Sequence, residues 1–106
     1  MSSAHAVSLQ TLKRFGEAKS LLRRTIPVAR RVLGDNDKLT LRMRWSYAES
    51  LYKDDGATLG DIRESVATLE ELKRISRRVL GGAHPTTVAH DYDLRKARAA
   101  LNARQE

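Results

Sequence analysis

Apolar residues recur at intervals of three and four along most of the chain, the spacing of a helix with one buried face. The clearest run is Leu59 to Leu80, where Ile62, Val66, Leu69, Leu72, Ile75 and Val79 mark one face. Thr58 and Asp61 before it form a capping-box pattern with Asp in place of Glu, and Glu70 and Arg74 stand at i,i+4. A second helix is predicted from Glu17 to Leu33 on a stripe of Ala18, Leu21, Leu22, Ala29, Val32 and Leu33. Pro27 lies inside it; a proline has no N–H and crowds the carbonyl four residues back, so a kink is expected there.

Lys38 to Asp54 reads two ways. Leu41, Met43, Trp45 and Tyr47 alternate with Arg42, Arg44 and Ser46, as in a strand. Leu41, Trp45, Ala48 and Tyr52 follow helical spacing, with Tyr47 and Leu51 on a second face. A strand here has no partner elsewhere in the chain, whereas a helix packed on two sides shows both apolar faces. The segment is therefore predicted helical, capped by Asp37 at its start and Gly56 at its end. Pro85 suits the first turn of a helix running to about Ala103, with Val88, Tyr92, Ala97 and Leu101 as its stripe and Asp91 paired with Arg95. Ala4 to Phe15 is a weaker helix on Val7, Leu9 and Leu12. The expectation is an all-α chain of about five helices.

A repeat organises these elements. Arg30-Arg31-Val32-Leu33-Gly34 recurs as Arg77-Arg78-Val79-Leu80-Gly81, 47 residues later, and at the same offset Thr40 falls on Thr87. The pentamer is a helix end: two arginines complement the negative end of the dipole and glycine closes the last turn. The 106 residues then form one domain, with a partial repeat over 4–34, a full one over 35–81 and a partial one over 82–104.

The absence of cysteine removes disulfides, thiol catalysis and cysteine-based metal sites. Apolar runs are too short to span a membrane. His90 and Asp93 at i,i+3 offer two ligands only, and Asp35-Asn36-Asp37 lacks the glycine and terminal glutamate of a calcium loop. His84 before Pro85 reads as a turn residue. Neither a phosphate-binding loop nor a catalytic triad stands out, so no metal, cofactor or enzymatic activity is expected.

Charge adds more. The chain carries +7, and all of the excess lies in residues 1–53, with eleven basic side chains against four acidic; residues 54–106 hold nine of each. Such a balance suits an acidic partner.

The stretch Gly16-Glu17-Ala18-Lys19-Ser20-Leu21-Leu22-Arg23-Arg24, followed by Arg31-Val32-Leu33-Gly34, resembles the second helix of a kinesin-light-chain-type tetratricopeptide repeat. Leu80-Gly81-Gly82-Ala83-His84-Pro85-Thr86-Thr87 is similar to that family's junction between repeats, and Tyr47-Ala48 through Gly56 resembles its Leu-Ala … Gly segment. Ser46, and Asp93 one repeat on, stand where family members often carry a peptide-binding asparagine. The resemblance implies a right-handed helical-hairpin solenoid, cytoplasmic, that binds a peptide segment of a partner protein. The expected contacts for an acidic segment are Arg42, Arg44 and Arg24, with Ser46 and Glu49 tuning specificity. Lys19, Arg23 and Arg30 of the second helix offer an alternative, nucleic-acid-binding face, and self-association through uncapped ends is a third reading.

Overall fold

The computed structural model describes the backbone of residues 3–105 and the side chains of residues 14–105. Four helices account for nearly all of it: α1 (Ser3–Leu33), α2 (Lys38–Lys53), α3 (Leu59–Leu80) and α4 (Pro85–Gln105). There is no strand among the described residues. Each helix packs on the next, and α2 also touches α4.

The expected count of about five helices is corrected to four, because the two predicted over Ala4–Phe15 and Glu17–Leu33 are one continuous helix. The only residue at the expected break is Gly16, with open space around its Cα. A lone glycine inside a helix costs about 0.5–1 kcal/mol relative to alanine and does not by itself end it. The expected Val7, Leu9 and Leu12 stripe lies outside the described side chains. Pro27 is carried within α1.

The segment that read two ways is the middle helix. One face of α2 places Tyr47 and Leu51 against Ile26 of α1, with Leu22 and Met43 packed around them. Another places Ala48 among Leu69, Leu72, Leu94 and Ala97, with Leu41, Trp45, Tyr52 and Val66 packed against this larger cluster. The strand-like alternation is therefore the trace of a helix buried on two sides. The stripe predicted for α1 is displaced: Leu22, Ile26 and Ala29 turn inward, whereas Leu21, Val32 and Leu33 are exposed, since α2 covers one side of α1 only. On α3, Ile62, Leu69 and Leu72 are buried and Val79 is exposed. Glu70 reaches across to Arg98 of α4 (2.8 Å) rather than pairing with Arg74 along its own helix.

The repeat is as regular in backbone hydrogen bonding as in sequence. Gly34 and Gly81 adopt φ of 99° and 94°, in the range that side-chain-bearing residues rarely adopt. Each donates its N–H to a carbonyl four residues back, Arg30 and Arg77 respectively, at 3.1 Å. Asp37 and His84 also correspond. Asp37 Oδ1 accepts the N–H of Leu39 at 2.9 Å and His84 Nδ1 accepts that of Thr86 at 3.1 Å, so each tethers the first turn of the helix that follows. The Thr58–Asp61 capping box forms in full at α3. At the other end of α2 the cap is Asp54 rather than Gly56: its carboxylate accepts the N–H of Gly56 at 2.9 Å and turns the chain early.

Candidate interaction surface

With two sides of α2 packed, a third remains. Arg42, Ser46, Glu49 and Lys53 recur at helical spacing along it; all but the half-buried Glu49 are exposed. Lys53 Nζ pairs with Glu49 at 3.0 Å. Arg42 and Arg24 have no ion pair among the described residues.

The stripe borders a polar clip that fastens α2 to α4. Asp93 of α4 is 5% exposed and accepts two hydrogen bonds of 2.7 Å, one from Trp45 Nε1 and one from the Tyr52 hydroxyl. Trp45 also meets His90 edge to face, with ring centroids 4.5 Å apart, and His90 Nδ1 lies 3.0 Å from Ser76 Oγ on α3. Burial, reinforced by the neighbouring carboxylate of Asp93, raises Glu49 above the ordinary carboxylate range despite Lys53. Burial, then Asp93, raises the Tyr52 hydroxyl. In the sequence Asp93 stands out as the counterpart of Ser46 and as one of two ligand types at i,i+3 with His90, not as a clip for α2. Its role was carried by the one tryptophan and a tyrosine lying on the same predicted face as Leu41 and Ala48.

Burial lowers His90 below its usual value. A histidine with a depressed native pKa takes up its proton first in the unfolded chain, so it opposes folding as pH falls below about 6.5. Urea midpoints are therefore expected to drop between pH 7.5 and 5.5, and to drop less in His90→Gln. Equal pH dependence in both proteins would show that His90 is not held neutral.

The structure separates Arg42 from Arg44. Successive helical residues turn by roughly 100°, so side chains two apart point in nearly opposite directions. Arg44 is buried, and its guanidinium pairs with Glu71 Oε1 of α3 at 2.9 Å. That bond is the main reason Glu71 sits below the usual carboxylate range. Lys19, Arg23 and Arg30 likewise have partners within the chain. Lys19 pairs with Asp61 at 3.4 Å; Arg23 donates to the Tyr47 hydroxyl at 3.1 Å and covers its ring; Arg30 pairs with Asp35 at 3.1 Å. Arg24 lies on α1, apart from the α2 stripe. Thus Arg42, Ser46 and Glu49 share a face, whereas Arg44 and Arg24 do not join them.

Among the described residues no three His, Cys, Asp or Glu side chains converge as a metal site would require, and no helix is long and apolar enough to cross a membrane.

Four helices packed in chain order, with matching caps at a 47-residue offset, are compatible with an all-α fold of helical hairpins. A family model described as Tetratricopeptide repeat matches residues 6–37, which supports that kind of repeat for the stretch holding Gly16 to Arg24 and the first Val-Leu-Gly end. No curated protein and no solved structure matches the chain.

Proposed function

We propose that the chain is a protein–protein interaction module of the tetratricopeptide kind, close to the kinesin-light-chain type and cytoplasmic, that binds an acidic segment of a partner by contact rather than by catalysis. The observation that supports this most is the third side of α2. It is open, and it presents Arg42 without an ion pair among the described residues, beside Ser46 and the Glu49–Lys53 pair. In this reading Arg42 meets a carboxylate, Ser46 supplies a hydrogen bond, Glu49 selects against misplaced acids, and Arg24 adds attraction from α1. Arg44 contributes by holding α3 in place. The nucleic-acid reading is weaker, since Lys19, Arg23 and Arg30 would have to release their present partners.

Micromolar binding of an Asp/Glu-rich peptide is expected, and fluorescence anisotropy measures it. One exposed charge pair is worth about 0.2–1 kcal/mol, so Arg42→Ala weakens binding up to about fivefold. Arg42→Glu weakens it further, mainly through slower association, and added salt reduces the difference. Unchanged affinity in Arg42→Glu removes the α2 face from consideration. Tighter binding of a duplex oligonucleotide than of the peptide, lost on changing Lys19, Arg23 and Arg30, would favour the alternative.

A further inference from the structure

The two halves of the repeat form clefts of different charge. One cleft, about 210 Å3, lies between α1 and α2; the other, about 420 Å3, lies between α3 and α4. From the first to the second, at the 47-residue offset, Ile26 becomes Lys73, Pro27 becomes Arg74 and Arg30 becomes Arg77. Two changes run the other way: Arg23 becomes Glu70 and Arg44 becomes Asp91. Both of these acids are already engaged, Glu70 by Arg98 at 2.8 Å, and Asp91 by Lys73 at 2.8 Å and Arg95 at 2.9 Å. Arg30 is held by Asp35, but the residue one repeat after Asp35 is Gly82, and Arg77 lies beside it with no acid there.

Three arginines are left over. Arg74, Arg77 and Arg78 line the larger cleft without an ion pair among the described residues. Arg74 feels only the more distant field of Glu71, whose carboxylate is bonded to Arg44. Their spacing of i, i+3 and i+4 puts them on one side of α3, and the like-charged pairs Lys73–Arg77 and Arg74–Arg78 stand at i,i+4, where they repel. The helix dipole accounts for Arg77 and Arg78 in the last turn of α3, but its influence fades beyond that turn and does not account for Arg74. The first copy ends its helix with the same Arg-Arg pair and carries no cation at Ile26 or Pro27. The extra positive charge of the second cleft is thus not needed to close the helix.

We infer that the cleft between α3 and α4 binds a compact anion of two or three linked phosphates, gripped by Arg74, Arg77 and Arg78. A guanidinium fork matches phosphate oxygens two at a time. Linked phosphates gather several charges within about one helical pitch, roughly 5.4 Å, which is the span of these arginines. Carboxylates on an extended peptide stand about 3.3 Å apart along the chain for each residue and alternate in direction, so they match the cluster less well. The cleft volume lies within the range of about 300–1,000 Å3 usual for small-molecule sites. Leu94, 2% exposed, gives the cleft an apolar wall against which the field of the arginines is less screened. The phosphate chain has two sources, an inorganic polyphosphate or a nucleotide, with the same chemistry at the arginines. This cleft is separate from the α2 stripe, and nothing in the inference depends on that surface.

Isothermal titration of the full chain at near-physiological salt tests it, with inorganic tripolyphosphate, orthophosphate and a nucleoside triphosphate as ligands. Tripolyphosphate should bind one to one, at least about tenfold more tightly than orthophosphate, and raise the melting temperature. The exposed pair Arg74→Gln, Arg78→Gln should weaken it by about tenfold or more with helical circular dichroism unchanged. Arg24→Gln, Arg42→Gln removes the same charge elsewhere and should leave binding as in wild type. A nucleoside triphosphate that matches tripolyphosphate supports recognition of the phosphate chain alone, and one that binds more tightly supports a nucleotide as its carrier. No preference over orthophosphate, or equal losses in the two double variants, overturns the inference, because the anion would then be held by diffuse charge. So does an Asp/Glu-rich peptide that binds more tightly than tripolyphosphate and is weakened by the Arg74 and Arg78 changes, because it would make the cleft a carboxylate site.

Discussion

Leu69→Ala is expected to cost about 2–5 kcal/mol, a large part of the stability of a small domain. Leu69 is 0% exposed and lies in the cluster that joins α2, α3 and α4 through Ala48, Leu72, Leu94 and Ala97. Truncation removes methyl groups from a site with helices on several sides, and such a site relaxes poorly into the gap, so both the transfer and the cavity contributions apply. Val79→Ala on the same helix is the control. Val79 belongs to the same sequence stripe but is 69% exposed, and its truncation should change stability by no more than about 0.5 kcal/mol. Urea denaturation of the two variants measures the contrast. Equal losses, or a Leu69 loss near zero, would mean that the core is not centred on this helix.

The second large effect is expected at Asp93. Hydrogen bonds to a charged acceptor contribute about 1.5–3 kcal/mol each, and Asp93 accepts from both Trp45 and Tyr52. Asp93→Ala leaves two largely enclosed donors without that acceptor. It also removes the carboxylate that helps to raise Glu49, which returns part of the loss. The net expectation is about 2–4 kcal/mol, with a red shift of Trp45 emission as the indole loosens. Asp93→Asn keeps one side-chain acceptor oxygen and should fall between wild type and alanine. A loss below about 0.5 kcal/mol, with unchanged tryptophan emission, would show that apolar packing alone holds α2 to α4.

The helical character was readable wherever burial is one-sided and the caps are local. Thr58 with Asp61, Asp37, and the two Arg-Arg-Val-Leu-Gly ends act through bonds within a few residues, so their geometry follows from order in the chain. The junction at Gly16 was not readable, because a glycine tolerated inside a helix and one that ends it look alike in sequence. The inward face of α1 also misled: Leu21 and Val32 share helical spacing with Leu22 and Ala29, and only the position of α2 selects among them. Charges were the least readable, since ion pairs join residues far apart. The basic excess of residues 1–53 is partly neutralised by α3, through Asp61 on Lys19 and Glu71 on Arg44. Those acids do not line the cleft between α3 and α4, where Lys73, Arg74, Arg77, Arg78 and Arg98 outnumber Glu70, so a half with no net charge still presents a basic surface. Arg42 and Arg44 show the limit most directly. Adjacent in pattern and alike in chemistry, they lie one on the surface and one under α3.

Among the described residues the two apolar clusters meet through α2: Ile26, Tyr47 and Leu51 on one side, Ala48 with α3 and α4 on the other. Apart from the Lys19–Asp61 pair and the clip from α2 to α4, contacts join each helix to the next, and such packing makes stability largely additive along the stack. Detaching α1 exposes the smaller cluster and releases Lys19 and Arg23, yet leaves the Leu69 cluster intact. Amide protons of α1 are therefore expected to exchange through an opening that leaves α2, α3 and α4 assembled, ahead of those of α3.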